Sequence, residues 1–243
     1  MSVELRRPAF YALAHGGWRD AWTLLHPPYT AWHLSYYALG AALAPTLHVD
    51  RLLWGLLAFF LAVGIAAHAL DELRDRPLRT RFSDRALFVA AGVSLAGAVG
   101  IGIAGAVTVT PALVPLVVVG AFIVLAYNLE LFGGRFHSDL WFAAAWGAFP
   151  ALTGFVAEAK SLTAAGVLIA LACFAISFAQ RRLSTPVRML RRKTVSLTGE
   201  QELSDGRVEP VTIESTMAPL ETALSALSFA MVLLAAALVT ARL

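Results

Sequence analysis

Residues 86–129 read ALFVAAGVSLAGAVGIGIAGAVTVTPALVPLVVVGAFIVLAYNL, 44 positions without an Asp, Glu, Lys or Arg. A helix of that length would measure about 66 Å, whereas a hydrocarbon core is roughly 30 Å thick, so the run is expected to make two membrane spans. The break falls at VTVTP, residues 107–111. Working outward, uncharged windows also occupy residues 21–49, 52–70, 140–157, 161–180 and 222–241. The division predicts seven spans, roughly 29–47, 52–70, 87–106, 111–129, 140–157, 162–180 and 219–241. Helix is the local structure that satisfies backbone groups in lipid, so the expected fold is an all-α polytopic membrane bundle.

Composition agrees. Hydrophobic residues make up 58% of the 243 positions, charged residues only 14%, and the mean hydropathy is +0.70. A soluble enzyme with a conventional core and a disordered regulator are both disfavoured. A disulfide-stapled domain is disfavoured too, because Cys173 is the only cysteine.

Basic residues set the expected orientation, since Lys and Arg collect on the cytoplasmic side. Of 19 Lys and Arg, all but Arg51, Lys160 and Arg242 fall in segments on the same side as the N-terminus. The expectation is a multi-pass protein of the cell membrane with its N-terminus inside and its C-terminus outside. This asymmetry also accounts for most of the sequence pI near 9.3. It suits anionic lipid headgroups or a phosphorylated substrate, and the short loops offer no folded basic domain for nucleic acid.

Four regions follow. Residues 1–28 lack the apolar core of a signal peptide and read as an interfacial segment, with Phe10, Leu13, Trp18, Trp22 and Leu25 spaced loosely along one helical face. A disordered tail is the alternative. Residues 29–180 form a six-helix membrane core, 181–216 a basic cytoplasmic loop, and 217–243 a last transmembrane helix. Alternation over residues 208–213 suits a small hairpin or a loose cytoplasmic loop. Gly92, Gly97, Gly100, Gly102 and Gly105 lie mid-membrane and read as helix contacts rather than a phosphate loop.

The stretch HALDELRDRP, residues 68–77, closes the second span. His68, Asp71, Glu72 and Asp75 stand at i, i+3, i+4 and i+7, and a continuing helix puts them on one face. Carboxylates crowded there would repel unless a divalent cation drew them together, and oxygen ligands favour Mg²⁺. Arg76, Arg79 and Arg81 follow at once and suit phosphate oxygens. Together these features suggest a diphosphate site. Mutual neutralisation of acids and arginines in the headgroup zone is the competing explanation. His33, inside the first span, and His137 suit a neutral bonded histidine and a loop cap; Asp139 suits a helix cap.

The same stretch resembles the first aspartate-rich motif, NDxxDxxxD, of the UbiA superfamily of intramembrane prenyltransferases. Asp71 and Asp75 fall on its second and third aspartates, Ala67 and His68 replace its Asn and first Asp, and Arg76-Pro77-Leu78 matches the R-P-L that often follows. Residues 26–44 are similar to the family's first helix and residues 126–155 to its fourth-loop-fifth unit, so the likeness spans roughly residues 20–180. It implies prenyl transfer from a prenyl diphosphate to an acceptor, with Mg²⁺ as cofactor. Asp71, Asp75, Glu72 and His68 would serve the metal, with Asp71 and Asp75 the catalytic pair. Arg76, Arg79, Arg81, Tyr127, Asn128, Arg135, Arg181 and Arg182 would hold the diphosphate. Two departures stand out. Where the second aspartate-rich motif belongs, the chain reads SFAQRRLSTP, residues 177–186, with arginine in place of acid. The family usually has nine spans, so either a homo- or hetero-oligomeric partner completes the ring or the ring is short. A non-catalytic isoprenoid-binding relative or partner subunit, or a terpene cyclase, remains the alternative.

Overall fold

A computed structural model describes residues 7–243. Arg6 and the rest of the predicted interfacial segment before residue 7 lie outside the described residues. The charge-poor stretches become helices of unequal length. In chain order they are α1 (Trp18–Leu25), α2 (Pro27–Ala42), α3 (Val49–Asp75), α4 (Asp84–Thr108), α5 (Leu113–Asn128), α6 (Asp139–Ala159) and α7 (Ala164–Arg192). A hairpin of β1 (Thr198–Glu202) and β2 (Val208–Thr212) follows, and α8 (Ile213–Thr240) ends the fold.

Five of these helices, α3, α4, α6, α7 and α8, are long and apolar enough to cross a membrane. The fold is thus the all-helical bundle of a multi-pass membrane protein. Helices α2 and α5 have 16 residues each, about 24 Å of rise, which falls short of a roughly 30 Å hydrocarbon core.

Local signals explain the starts. Ser83 Oγ accepts from the Ala86 amide at the head of α4, and Ser138 Oγ from that of Trp141 at the head of α6. Thr212 and Ser215 form a reciprocal cap on α8. Pro27 opens α2, where a missing N–H does no harm. Wide π-turns interrupt α3 at Phe60–Ala67 and α6 at Ala144–Ala148.

Helix α2 lies in the middle of the bundle, packed on α6 and α8. Its Trp32, Tyr36 and Tyr37 are almost wholly buried. A Cβ on Gly40 would strike the Ala151 carbonyl, and one on Gly154 the Tyr37 carbonyl, so α2 and α6 meet backbone to backbone. Of the glycines expected to pack, Gly97, Gly102 and Gly105 do face neighbouring side chains, whereas Gly92 and Gly100 face open space.

Two segments differ from expectation. Helix α7 continues to Arg192, so the first twelve residues of the region read as a basic loop are helical; Arg, Leu and Met are good helix formers, and charge ends a span without ending a helix. The N-terminal segment is not one long surface helix. Among its described residues before α2 only α1 is helical, with Trp18 and Trp22 exposed, while Ala9, Tyr11 and Ala12 fold back into a small core with Phe10 and Tyr29. The hairpin forms in antiparallel register, Thr198 opposite Thr212, around the turn at Asp205-Gly206.

Candidate functional site

The site grows from the end of α3. His68, Asp71, Glu72 and Asp75 share a helical sector, but they do not share a depth. Asp75 stands about 10 Å farther along the axis than His68, past the packed end of the bundle, where its carboxylate is exposed and only 3.7 Å from Arg74. Glu72 is completely buried and fully engaged. One oxygen accepts from the Leu78 amide at 2.9 Å, and the other from the Thr80 amide at 2.7 Å and hydroxyl at 2.9 Å. The Arg-Pro-Leu sequence is thereby a folded loop. Arg76 takes a left-handed φ of 49°, donates to the Phe82 carbonyl at 2.6 Å and pairs with Asp84, and Leu78 plugs the interior. His68 bonds the Gly64 carbonyl through Nδ1 at 3.1 Å and stacks on His26 at 4.2 Å.

The four expected metal ligands therefore do not converge. Among the described residues no group of three or more His, Cys, Asp or Glu gathers at metal-binding spacing. A magnesium ion does not fit the donors present, because Glu72 is spent on its loop, Asp75 points away and His68 is bonded to backbone. Asp71 alone has no hydrogen bond or ion pair among the described residues.

Asp71 is half-buried and within electrostatic reach of Arg192, Arg188 and His137. Arg188 is also half-buried, among Arg181, Tyr127, Arg192 and Asp71, and no acidic partner lies within ion-pair distance among the described residues. Arg181 reaches Asp139 at 3.0 Å and lies 5.2 Å over the Phe142 ring; Arg182 touches the same carboxylate at 3.4 Å but points outward. Arg192 donates to the Pro8 carbonyl at 3.1 Å. Arg181, Arg188 and Arg192 follow i, i+7, i+11 spacing and share one side of α7.

Across from them is the end of α5. The Tyr127 hydroxyl is buried without a partner among the described residues, and its ring stacks on His137 at 4.5 Å. Asn128 turns back to the Val124 carbonyl at 2.7 Å, which makes it a helix-end residue. Arg135, Arg79 and Arg81 are exposed at the rim. Below this charged layer lie buried polar atoms without partners among the described residues: both His33 nitrogens, the Tyr36 and Ser177 hydroxyls and the Gln180 carbonyl oxygen.

His26 links the site to the N-terminal segment. Its Nδ1 is hydrogen-bonded to the Tyr11 hydroxyl, and its Nε2 is buried without a partner among the described residues. Burial, then the neighbouring His68 and the Arg192 and Arg188 charges, hold its pKa well below the usual histidine value, so the ring is neutral. Burial likewise pushes the Tyr11 phenol up, and it stays protonated.

The structure thus brings together Asp71, Tyr127 and Arg181 of the expected residues, and adds Arg188, Arg192, His26 and His137. Arg188 and Arg192 were legible in principle, because a helical reading of residues 177–192 puts them on the stripe of Ser177, Gln180 and Ser184. No protein-family model, curated protein or solved structure matches the chain.

Proposed function

We propose that the chain is a UbiA-like intramembrane protein that binds a prenyl diphosphate and transfers its prenyl group to an acceptor. The diphosphate would sit against the inner face of α7 and the tail among the apolar helices. The family reading rests on the motif at residues 68–78 and on the stretches at 26–44 and 126–155. One observation carries the function: Arg188 is half-buried with no acidic partner among the described residues, next to Arg181 and Arg192. Three guanidinium groups there, with only Asp71 uncommitted nearby, leave local positive charge that an anionic head would neutralise.

The chemistry follows from these groups. The bond between the prenyl C1 and the diphosphate oxygen breaks with its electron pair leaving on diphosphate. Arg181, Arg188 and Arg192 stabilise that charge by paired N–H donors, and the unpartnered Tyr127 hydroxyl supplies another donor. The acceptor attacks C1 and passes its proton to the departing diphosphate. No step is assigned to magnesium, since the carboxylates are not arranged to hold it. The side bearing this cluster would be cytoplasmic, as the distribution of Arg implies, with α2 and α5 completing seven spans.

One observation favours a second reading, a non-catalytic isoprenoid-binding or partner subunit: of the acids at the end of α3, only Asp71 is uncommitted. Purified full-length protein, mixed with geranyl, farnesyl and geranylgeranyl diphosphates with Mg²⁺ or EDTA, separates the two. Thermal stabilisation with diphosphate release supports transfer, and stabilisation without release supports the subunit. No stabilisation at any chain length defeats both.

A further inference from the structure

A cavity of about 520 Å³ lies between α3, α4, α5 and α6, at the other end of the bundle from the arginine cluster. Ala58 and Ala62 on α3 and Ala98 on α4 line it together with large apolar side chains, among them Leu95, Leu116 and Phe149. Along α3 it runs from Asp50 to Val63, about 20 Å of helical rise. The deep end stops at Val124 and Trp146. Trp146 is shared, since its ring also meets Tyr127 edge-on at 5.5 Å, so it stands between this cavity and the polar cluster.

The mouth can be located from exposure. Asp50 and Trp54 on α3 and Gly100, Ala104 and Thr108 on α4 line the cavity and are exposed, so it opens sideways toward lipid near the end of the bundle. Its rim carries Arg51. That guanidinium donates to the Glu158 backbone carbonyl at 3.3 Å and has no acidic partner within ion-pair distance among the described residues. The volume lies within the roughly 300–1,000 Å³ usual for ligand sites.

A long apolar slot, a lateral mouth and an arginine without an ion-pair partner at the rim, beside Asp50, together suit an amphiphile. We infer that this cavity is a second lipid site, which takes one hydrocarbon chain of a phosphate-bearing lipid with its head at Arg51. The chain lies along Ala58 and Ala62 with its end near Trp146. It is separate from the diphosphate site and does not depend on it. Two amphiphiles would meet end to end across Trp146, each with its head at an opposite face.

Photolabelling tests this on the full chain in detergent. The probes are a lysophosphatidic acid with a diazirine in its acyl chain and a monoacylglycerol with the same chain. Label from both is expected on residues 50–63, 95–108 and 113–124. Gly100→Leu adds bulk at the mouth, at a position where an added Cβ meets nothing within 4 Å and so displaces no packed neighbour, and labelling should fall at least about fivefold. Arg51→Gln should lower lysophosphatidic acid labelling about threefold or more and leave monoacylglycerol labelling unchanged. Label spread over the outer faces of α7 and α8, or unchanged by Gly100→Leu, overturns the site. Equal loss of both labels in Arg51→Gln overturns the phosphate assignment. If Gly100→Leu instead abolishes stabilisation by prenyl diphosphates, the cavity holds that ligand's tail and the separate site falls.

Discussion

Asp71 and Arg188 lie within electrostatic reach of each other, one at the end of α3 and one on α7, yet form no ion pair. Opposite charges left half-buried and apart are held there by their helices, and an anion would be drawn to the arginine side. Arg188→Gln is expected to weaken prenyl diphosphate binding by about 1.5–3 kcal/mol, roughly 10- to 150-fold in Kd. The unliganded variant should melt within roughly 2–4 °C of the parent, because no ion pair is broken. Isothermal titration and melting measure the two; unchanged affinity sinks the assignment of Arg188.

Glu72 and Asp75, three residues apart, should behave as opposites. Glu72→Ala strands the Leu78 and Thr80 amides and the Thr80 hydroxyl in a buried place, at about 3 kcal/mol or more, or roughly 6–12 °C of melting temperature. Glu72→Gln keeps one acceptor oxygen and should lose less. Asp75→Asn, at an exposed position, should change stability by under about 0.5 kcal/mol. Matching losses of stability from the two positions would restore a shared role.

These acids show what the sequence carried and what it hid. Spacing at i, i+3, i+4 and i+7 fixes direction around α3, and the residues do share a sector. It does not fix depth, and whether a carboxylate meets a ligand, a loop amide or solvent depends on where the bundle stops. Hydropathy located the apolar stretches well, because lipid demands them. It truncated α7 at Gln180, because Arg181 ends a span by polarity while the backbone continues as helix to Arg192. That cut hid Arg188 and Arg192. The close approach at Gly40 and Gly154 was equally hidden, since nothing local distinguishes them from the glycines of α4.

His26 gives the protein an acid limit. Its pKa is lowered in the fold, so at pH below about 6.5 the unfolded chain takes up a proton that the folded chain refuses. Stability therefore falls as pH drops below about 6.5, by up to about 1.4 kcal/mol per pH unit from this group. His26→Gln removes that contribution. Melting curves from pH 7.5 to 5.0 should show a shallower acid decline in the variant; parallel curves would mean that His26 accepts its proton in the folded state.

The α2–α6 contact should tolerate no side chain. Gly40 and Gly154 each face a backbone carbonyl of the other helix, and a carbonyl in a helix cannot swing aside as a flexible side chain does. Gly40→Val or Gly154→Val would force the helices apart and open the packing around Tyr36 and Tyr37. Overpacking ordinarily costs about 1–3 kcal/mol, and a backbone clash belongs at or above the top of that range. Gly92→Val is the control, with nothing within 4 Å of its added Cβ. Melting temperatures in one detergent should drop by about 6 °C or more for the first two and stay near the parent for the third. Equal melting of all three would show that α2 and α6 are not in backbone contact.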